Sequence, residues 1–360
     1  MNSDQIELAY WVTLSQVDGI GPANFARLLK IYKSAQKVWE EKNLEKLKLD
    51  VKTLENFKNL RNQIDPVENL KNLKKQEIKV VGLFEENYPE NLKQIFDPPP
   101  FIYYRGNLKP ADRLSLAVVG SRKMTSYGRS VTEEMAYGAV QAGLTVVSGM
   151  ARGVDSVAHI SAIEAGGRTI AFMGSGINQI YPPDNKNLYY KIIQKGAVLC
   201  EYPPEYPALP GNFPSRNRLI SGFSLGVLIT EAARDSGSLI TANSAIEQGR
   251  EVFCVPGSIS SPLSEGPNEL IKNGAKLTSK ITDILEELNI DEKFEGKREI
   301  IAENKDEEIL LTLLVDASKH IDQLVKESRL ETPKVLSTLT ILEISGKVKN
   351  LGNGEYKIGR

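Results

Sequence analysis

Between about residues 112 and 288 the chain alternates repeatedly between a short apolar run and an amphipathic stretch of helical period. The runs are 116–120, 145–150, 169–174, 198–201, 226–231 and 251–256, and the stretches between them include 127–142, 154–165, 185–194 and 239–248. Strands that are apolar throughout must be covered on both faces, which amphipathic helices between parallel strands achieve. The pattern predicts an α/β fold, a doubly wound, Rossmann-like parallel sheet over 112–288.

The flanks read differently. Residues 1–70 are predicted helical, with breaks at Asp18-Gly19 and Asp65-Pro66. Val17-Asp-Gly-Ile-Gly-Pro22 has the pattern of a helix-hairpin-helix (SAM-like) turn, in which Gly19 and Gly21 allow a tight bend and Pro22 opens the next helix. Such a turn either meets a backbone phosphate or simply packs. Residues 71–111 read as a connector, because the prolines at 89 and 98–100 forbid regular structure, with a short strand at 101–104. A charged linker is expected at 289–304. Residues 305–360 then read as helices at 307–315, 321–328 and 333–345 and a hairpin at Asn353-Gly354, the order of a winged helix. Its third helix offers Lys334, Ser337 and Thr338 but little other positive charge, so DNA reading and partner binding both stay open.

Composition excludes several function classes. There are 45 basic and 46 acidic residues, for a formal charge of −1, so a DNA-coating protein that relies on global charge is disfavoured. Only two histidines and two cysteines occur, too few to favour a zinc site or a Ser-His-Asp triad. No metal and no cofactor is expected. Cys200 and Cys254 each fall in an apolar run and read as buried thiols. With no apolar run long enough to span a bilayer and a polar start, a cytoplasmic protein without membrane contact is expected.

In a doubly wound sheet, ligands bind outside the carboxyl ends of the strands. The loops predicted there are glycine-rich and polar. They are Gly120-Ser-Arg-Lys-Met-Thr-Ser-Tyr-Gly128, Ser148-Gly-Met-Ala-Arg-Gly-Val-Asp155, Gly174-Ser-Gly176 with Tyr181-Pro-Pro-Asp-Asn-Lys186, Phe213-Pro-Ser-Arg-Asn-Arg218, and the helix start Ser236-Gly-Ser238. Guanidiniums and free helix-start amides hold phosphates, and no acid, base or nucleophile is grouped with them. Asp155 reads as a helix cap and His159 as a packing residue. The dinucleotide fingerprint fails at Gln179, and no P-loop is present. A run of phosphates, as in a nucleic-acid backbone, suits several anion sites. The predicted phosphate contacts are Gly120, Ser121, Arg122, Lys123, Gly149, Lys186, Arg216, Asn217, Arg218, Gly237 and Ser238. Phe213, Tyr181 and Tyr127 are candidates for stacking the bases of a single strand.

These motifs, with Ala158-His159, Gly249-Arg-Glu-Val-Phe-Cys-Val-Pro-Gly257 and Gly266-Pro-Asn-Glu-Leu-Ile-Lys-Asn-Gly-Ala275, resemble in series the DprA, or Smf, DNA-processing family of bacteria. The resemblance covers the whole 112–288 region, and the helical and winged-helix flanks match the architecture of many members. It implies a non-catalytic homodimer that binds single-stranded DNA, protects incoming DNA and helps load the RecA recombinase in natural transformation. It also implies phosphate contact at Ser121 and Arg122 and at Arg216, Asn217 and Arg218. Two departures stand out. Met150 replaces the commoner leucine, and Pro183 stands where some relatives have a basic residue, which shifts that contact to Lys186. The rival is an enzyme resembling the lysine-decarboxylase-like phosphoribohydrolases. Its glutamate-bearing loop is missing, since Ile240 and Thr241 follow Gly237-Ser238-Leu239.

Overall fold

The computed structural model of the protein describes residues 3–290, 304–314, 318–345, 347–352 and 354–358. The chain divides into two compact units, Met1–Lys293 and Phe294–Arg360.

The first unit opens with α1 (Ser3–Leu14), α2 (Pro22–Tyr32), α3 (Ala35–Glu40), α4 (Val51–Gln63) and α5 (Pro66–Lys75). Pro22 and Pro66 sit in first turns, where a missing N–H costs nothing. Asp50 and Asp65 cap α4 and α5 by accepting from the Thr53 and Glu68 amides at 2.9 and 2.8 Å. In the predicted hairpin turn Gly19 has φ +97°, whereas Gly21 lies at φ −74°, so of the two only Gly19 uses the left-handed freedom of glycine.

Next come β1 (Lys79–Gly82), α6 (Glu90–Lys93), β2 (Phe101–Gly106), β3 (Ser115–Val119), α7 (Ser126–Gln141), β4 (Thr145–Ser148), α8 (Val154–Glu164) and β5 (Thr169–Phe172). The alternation continues through α9 (Lys186–Lys195), β6 (Ala197–Cys200), α10 (Asn212–Phe223), β7 (Gly226–Ile229), α11 (Gly237–Glu247) and β8 (Glu251–Cys254). It closes with α12 (Glu265–Lys272), β9 (Lys276–Leu277) and α13 (Ile281–Glu287).

Among the described residues these strands form a nine-stranded sheet in the order β1-β2-β6-β5-β4-β3-β7-β8-β9. The sheet is mixed rather than parallel throughout. β3 to β9 run parallel to their neighbours, but β2 pairs antiparallel with both β1 and β6. The 71–111 segment thus contributes two strands, with its prolines in the loop between them.

Each predicted run overshoots its strand by one or two residues, because a trailing glycine, polar residue or, at Pro256, proline leaves the ladder for the rim. Alternate residues face opposite layers. Leu116, Val118, Val146, Leu228 and Phe253 share a core with Met135 and Ala139 of α7 and Ala158 of α8. Ala117, Val119, Val147, Val227 and Ile229 pack with Leu219 and Ile220 of α10 and Ala242 and Ala245 of α11. A further apolar cluster runs without a break from Leu8, Val12, Phe25 and Phe57 to Phe101, Tyr103 and Val198, so the N-terminal helices cover the sheet at its β2–β6 end. Cys200 and Cys254 are buried and free, and burial pushes both thiols up to about 12.

The second unit holds α14 (Lys305–Leu314), β10 (Lys319–His320), α15 (Ile321–Ser328), α16 (Thr332–Ile344), β11 (Val348–Gly352) and β12 (Glu355–Ile358). Its strands order as β10-β12-β11, and Leu310, Leu324, Val335, Leu339 and Val348 form its core. This is the winged-helix order. Of the predicted features, most of the 289–304 linker, Val315 and Asn353 lie outside the described residues.

Candidate nucleic-acid interface

The strand order places a topological switch between β3 and β7. From β3 the chain moves towards β6, and from β7 towards β9. Loops leaving the carboxyl ends of β3 and β7 diverge to opposite faces there, which opens a crevice. The predicted loops border it.

The turn after β3 is pinned on both sides by one buried carboxylate residue. The Glu231 carbonyl accepts from the Ser121 amide at 2.6 Å. Its carboxylate accepts from the Thr125 amide and hydroxyl at 2.8 and 2.6 Å. The Ser121 hydroxyl accepts from the Lys123 amide at 3.0 Å, and Ser121 is 8% exposed. The Ser121 amide builds the turn, and the hydroxyl accepts within the turn while keeping its own proton to donate. Gly120 fits beneath it, because a Cβ there would lie 2.7 Å from the Glu231 carbonyl oxygen. The product of this bracing is an exposed Arg122, with Lys123 exposed beside it. Arg122 holds its guanidinium 5.7 Å from the centroid of the Phe213 ring, and Phe213 meets Tyr181 at 5.4 Å. Three predicted residues, from two loops and the first turn of α10, thus come together as one cation and two aromatic rings.

Arg216 and Arg218 do not join them. Both are predicted on a rim loop, but 212–223 is α10, with Pro214 tolerated in its first turn. Residues two apart on a helix point to different sides. Arg216 points inward and is 4% exposed. It donates to the Gly149 carbonyl at 2.6 Å, to the Phe172 carbonyl, and to Asn217 at 3.2 Å. Burial lowers its pKa to about 10, with the Asp155 charge opposing that shift. Arg218 points the other way, donating to Glu201 at 2.5 Å and to the Asp97 carboxylate and carbonyl at 3.1 and 2.8 Å. Burial raises the Glu201 pKa despite that partner. Both guanidiniums are occupied inside the protein.

Gly149 serves Arg216, since a Cβ there would overlap the guanidinium. Asp155 is no helix cap. It accepts from the Gly149 and Ala151 amides at 3.1 and 3.2 Å, and so holds the loop before α8. His159 packs as expected, fully buried, with Nδ1 at 2.6 Å from the Thr169 hydroxyl. That hydroxyl donates to the Val146 carbonyl, so the proton between them belongs to Nδ1. Burial lowers the His159 pKa to about 3, and it is neutral.

The remaining predicted residues are spread along the rim. Asn217 donates to the Gly237 carbonyl at 3.1 Å and ties α10 to the start of α11. Ser236 caps α11, and the buried Ser238 hydroxyl sits 2.8 Å from that of Ser236. Gly237 is exposed, with open space where a Cβ would project. Lys186 is exposed at the start of α9 and makes no ion pair among the described residues. Tyr127 is tied by a 2.8 Å hydrogen bond to the Pro256 carbonyl, beyond β8 and away from Phe213. Sequence reasoning missed Glu231 and the exposed Arg234. A carboxylate ending a central apolar run was the available signal for the first. A lone cation in the loop before α11 was the signal for the second.

Among the described residues no His, Cys, Asp and Glu cluster is placed to hold a metal, and no helix is long and apolar enough to cross a membrane.

Comparison with known proteins follows this geometry closely. The family model for DNA recombination-mediator protein A matches residues 79–289, starting at β1, and the model for the DprA winged helix domain matches 297–354. Protein Smf of Escherichia coli (strain K12) is 37% identical over 286 residues, 76% of each chain. DNA processing protein DprA of Streptococcus pneumoniae is 42% identical over 212 residues, 59% of this chain and 75% of that one. The X-ray structure of DprA from Streptococcus pneumoniae superposes with a TM-score of 0.66 at 35% identity, covering 80% of this chain and 99% of its own. A DprA structure from Helicobacter pylori, described for its single-stranded DNA binding mode, gives 0.54 at 31% identity over 60% and 97%.

Proposed function

This chain belongs to the DNA recombination-mediator protein A (DprA/Smf) family, and from that premise we propose that it binds single-stranded DNA without cleaving it. The carrying observation is the Arg122–Phe213–Tyr181 cluster on the carboxyl rim, where an exposed cation and two rings converge. A phosphate meets Arg122, and bases stack on exposed Tyr181 and half-buried Phe213. Lys123, Lys186, Arg234 and the Gly237 helix start extend the phosphate track along the rim. Arg216, Asn217 and Arg218 act one step back, holding α10 and the neighbouring loops in place. Within this reading the protein is a cytoplasmic homodimer that shelters incoming strands and hands them to RecA. The Helicobacter pylori relative's single-strand binding mode supports the ligand class.

Anisotropy of labelled oligo-dT, at two salt concentrations and beside a duplex of equal length, tests the reading. The single strand is expected to bind in preference to the duplex and to weaken as salt rises, in proportion to the phosphates neutralised. Arg122→Glu is expected to weaken it roughly ten- to hundredfold, as loss of a charge-assisted contact of about 1.5–3 kcal/mol requires. A folded Arg122→Glu protein with unchanged affinity contradicts it.

A further inference from the structure

The loop from β6 to α10 carries a second aromatic pair that the cluster around Arg122 does not use. Tyr202 and Tyr206 stack with ring centroids 5.2 Å apart and planes 16° from parallel. Tyr206 is 37% exposed at the end of the stack. Among the described residues Tyr202 is its one ring partner, so the stack stops at Tyr206.

The loop beneath the pair is rigid and belongs to the same rim. The Tyr206 carbonyl accepts from the Gly176 amide at 2.8 Å, and the Pro204 carbonyl from the Asn178 amide at 2.9 Å. A Cβ on Gly176 would overlap the Pro203 and Pro204 carbonyls, which is why glycine stands there. Of the two acids adjacent to the pair in sequence, Glu205 is held by Asn178 and Gln179 at 2.5 and 3.0 Å and Glu201 by Arg218 at 2.5 Å. Asn212 joins this loop to the cluster by donating to the Gly174 and Pro207 carbonyls.

Spacing links the two aromatic pairs. The Phe213 ring packs on Gly174, at 2.9 Å from the position of a Cβ there, and the Tyr206 carbonyl is bonded to Gly176. Those anchors are two residues apart on one chain, so at most about 7 Å separates them. Successive bases of a single strand stack on successive rings, with little regard to sequence.

We propose that the Tyr202–Tyr206 stack is a second base-stacking subsite, which takes an unpaired nucleobase beside the one received at Phe213 and Tyr181. The inference rests on the single-strand reading above. It adds the path of the strand, from the β3 turn past α10 and over the β6–α10 loop.

The test uses the full chain, with Tyr206→Ala and Tyr206→Phe, titrated with labelled oligo-dT in which a single abasic residue is walked along the strand. Tyr206→Ala is expected to weaken intact oligo-dT about five- to hundredfold, the range for one lost base stack. The slope of affinity against salt stays as in the wild type, because no phosphate contact is lost. Tyr206→Phe keeps wild-type affinity. One abasic position penalised in the wild type ceases to be penalised in Tyr206→Ala. Unchanged affinity in Tyr206→Ala overturns the subsite. So does lost affinity with every abasic penalty retained, since the tyrosine then only stiffens its loop. A wild-type protein that binds no oligo-dT overturns the single-strand reading itself, which the variants alone cannot do.

Discussion

The carboxyl rim of the large sheet and the third helix of the winged-helix unit carry contrasting side chains. At the rim Glu231 is turned inward and occupied by the Thr125 cap and Asp155 by two loop amides, while exposed Asp184 pairs with Arg152 at 2.6 Å and Asp235 is exposed. Arg122, Lys123, Lys186 and Arg234 are left exposed. On α16 the exposed residues mix Leu336, Ile341 and Ile344 with Ser337, Thr340 and Glu343, and Lys334 is paired with Asp306 at 2.9 Å. Lys347 is likewise bound to Glu307 at 3.1 Å. A helix that reads a major groove needs free polar or cationic side chains at its outward face, and the one lysine of α16 is already paired. Counting lysines in the sequence does not separate the two regions. What separates them is which charges the fold has already paired.

The comparison fails at its base if the rim is not built on an internal arginine. Arg216→Ala leaves Asp155 buried without its cationic neighbour and two carbonyls without a donor. Loss of one member of a buried charged pair costs about 3–5 kcal/mol. Urea unfolding is expected to show that loss, with a matching fall in oligonucleotide binding only where the protein unfolds.

Acid is expected to act on the first unit through its buried imidazole. Folded His159 has its pKa lowered by burial from 6.5 to about 3, so below pH 6.5 the unfolded chain binds a proton that the folded one does not. The stability it contributes is complete above about pH 6.5 and is lost as the pH falls towards 3, reaching about 2 kcal/mol by pH 5. Asp155, raised by burial, works in the opposite direction at lower pH. The His159→Gln protein is expected to lack the loss between pH 7 and 5 in urea titrations.

The smallest effects sharpen the contrast most finely. Lys123→Glu is expected to reduce the salt slope for oligo-dT by about 0.7 for the one single-strand phosphate released. Lys349→Glu, on exposed β11, is expected to leave both slope and affinity within twofold. Parallel titrations of the two variants make the check.

Much of the fold was legible in the sequence. Continuous apolar runs ended by glycine or a polar residue mark β3 to β8, and Pro22, Asp65 and Pro66 mark helix starts. The short strand at 101–104 became β2, but β1 and the antiparallel pairing escaped because prolines at 89 and 98–100 crowd the segment between the two strands without entering either. At the site, Arg122, Phe213 and Tyr181 were legible as types of residue on rim loops, and the fold brings them together. The direction of Arg216 was not legible. A guanidinium beside a glycine-rich loop reads as a phosphate grip until a helix turns it towards the carbonyls of Gly149 and Phe172. Burial is a tertiary property, and no local spacing reports it.

Ultraviolet cross-linking of oligo-dT to the whole protein, followed by mapping of the modified peptides, tests most directly where the strand lies. The account predicts adducts at Tyr181 and Phe213, lost in Arg122→Glu, with none above background over 332–352. Adducts concentrated on α16 and β11, and indifferent to Arg122, would contradict it.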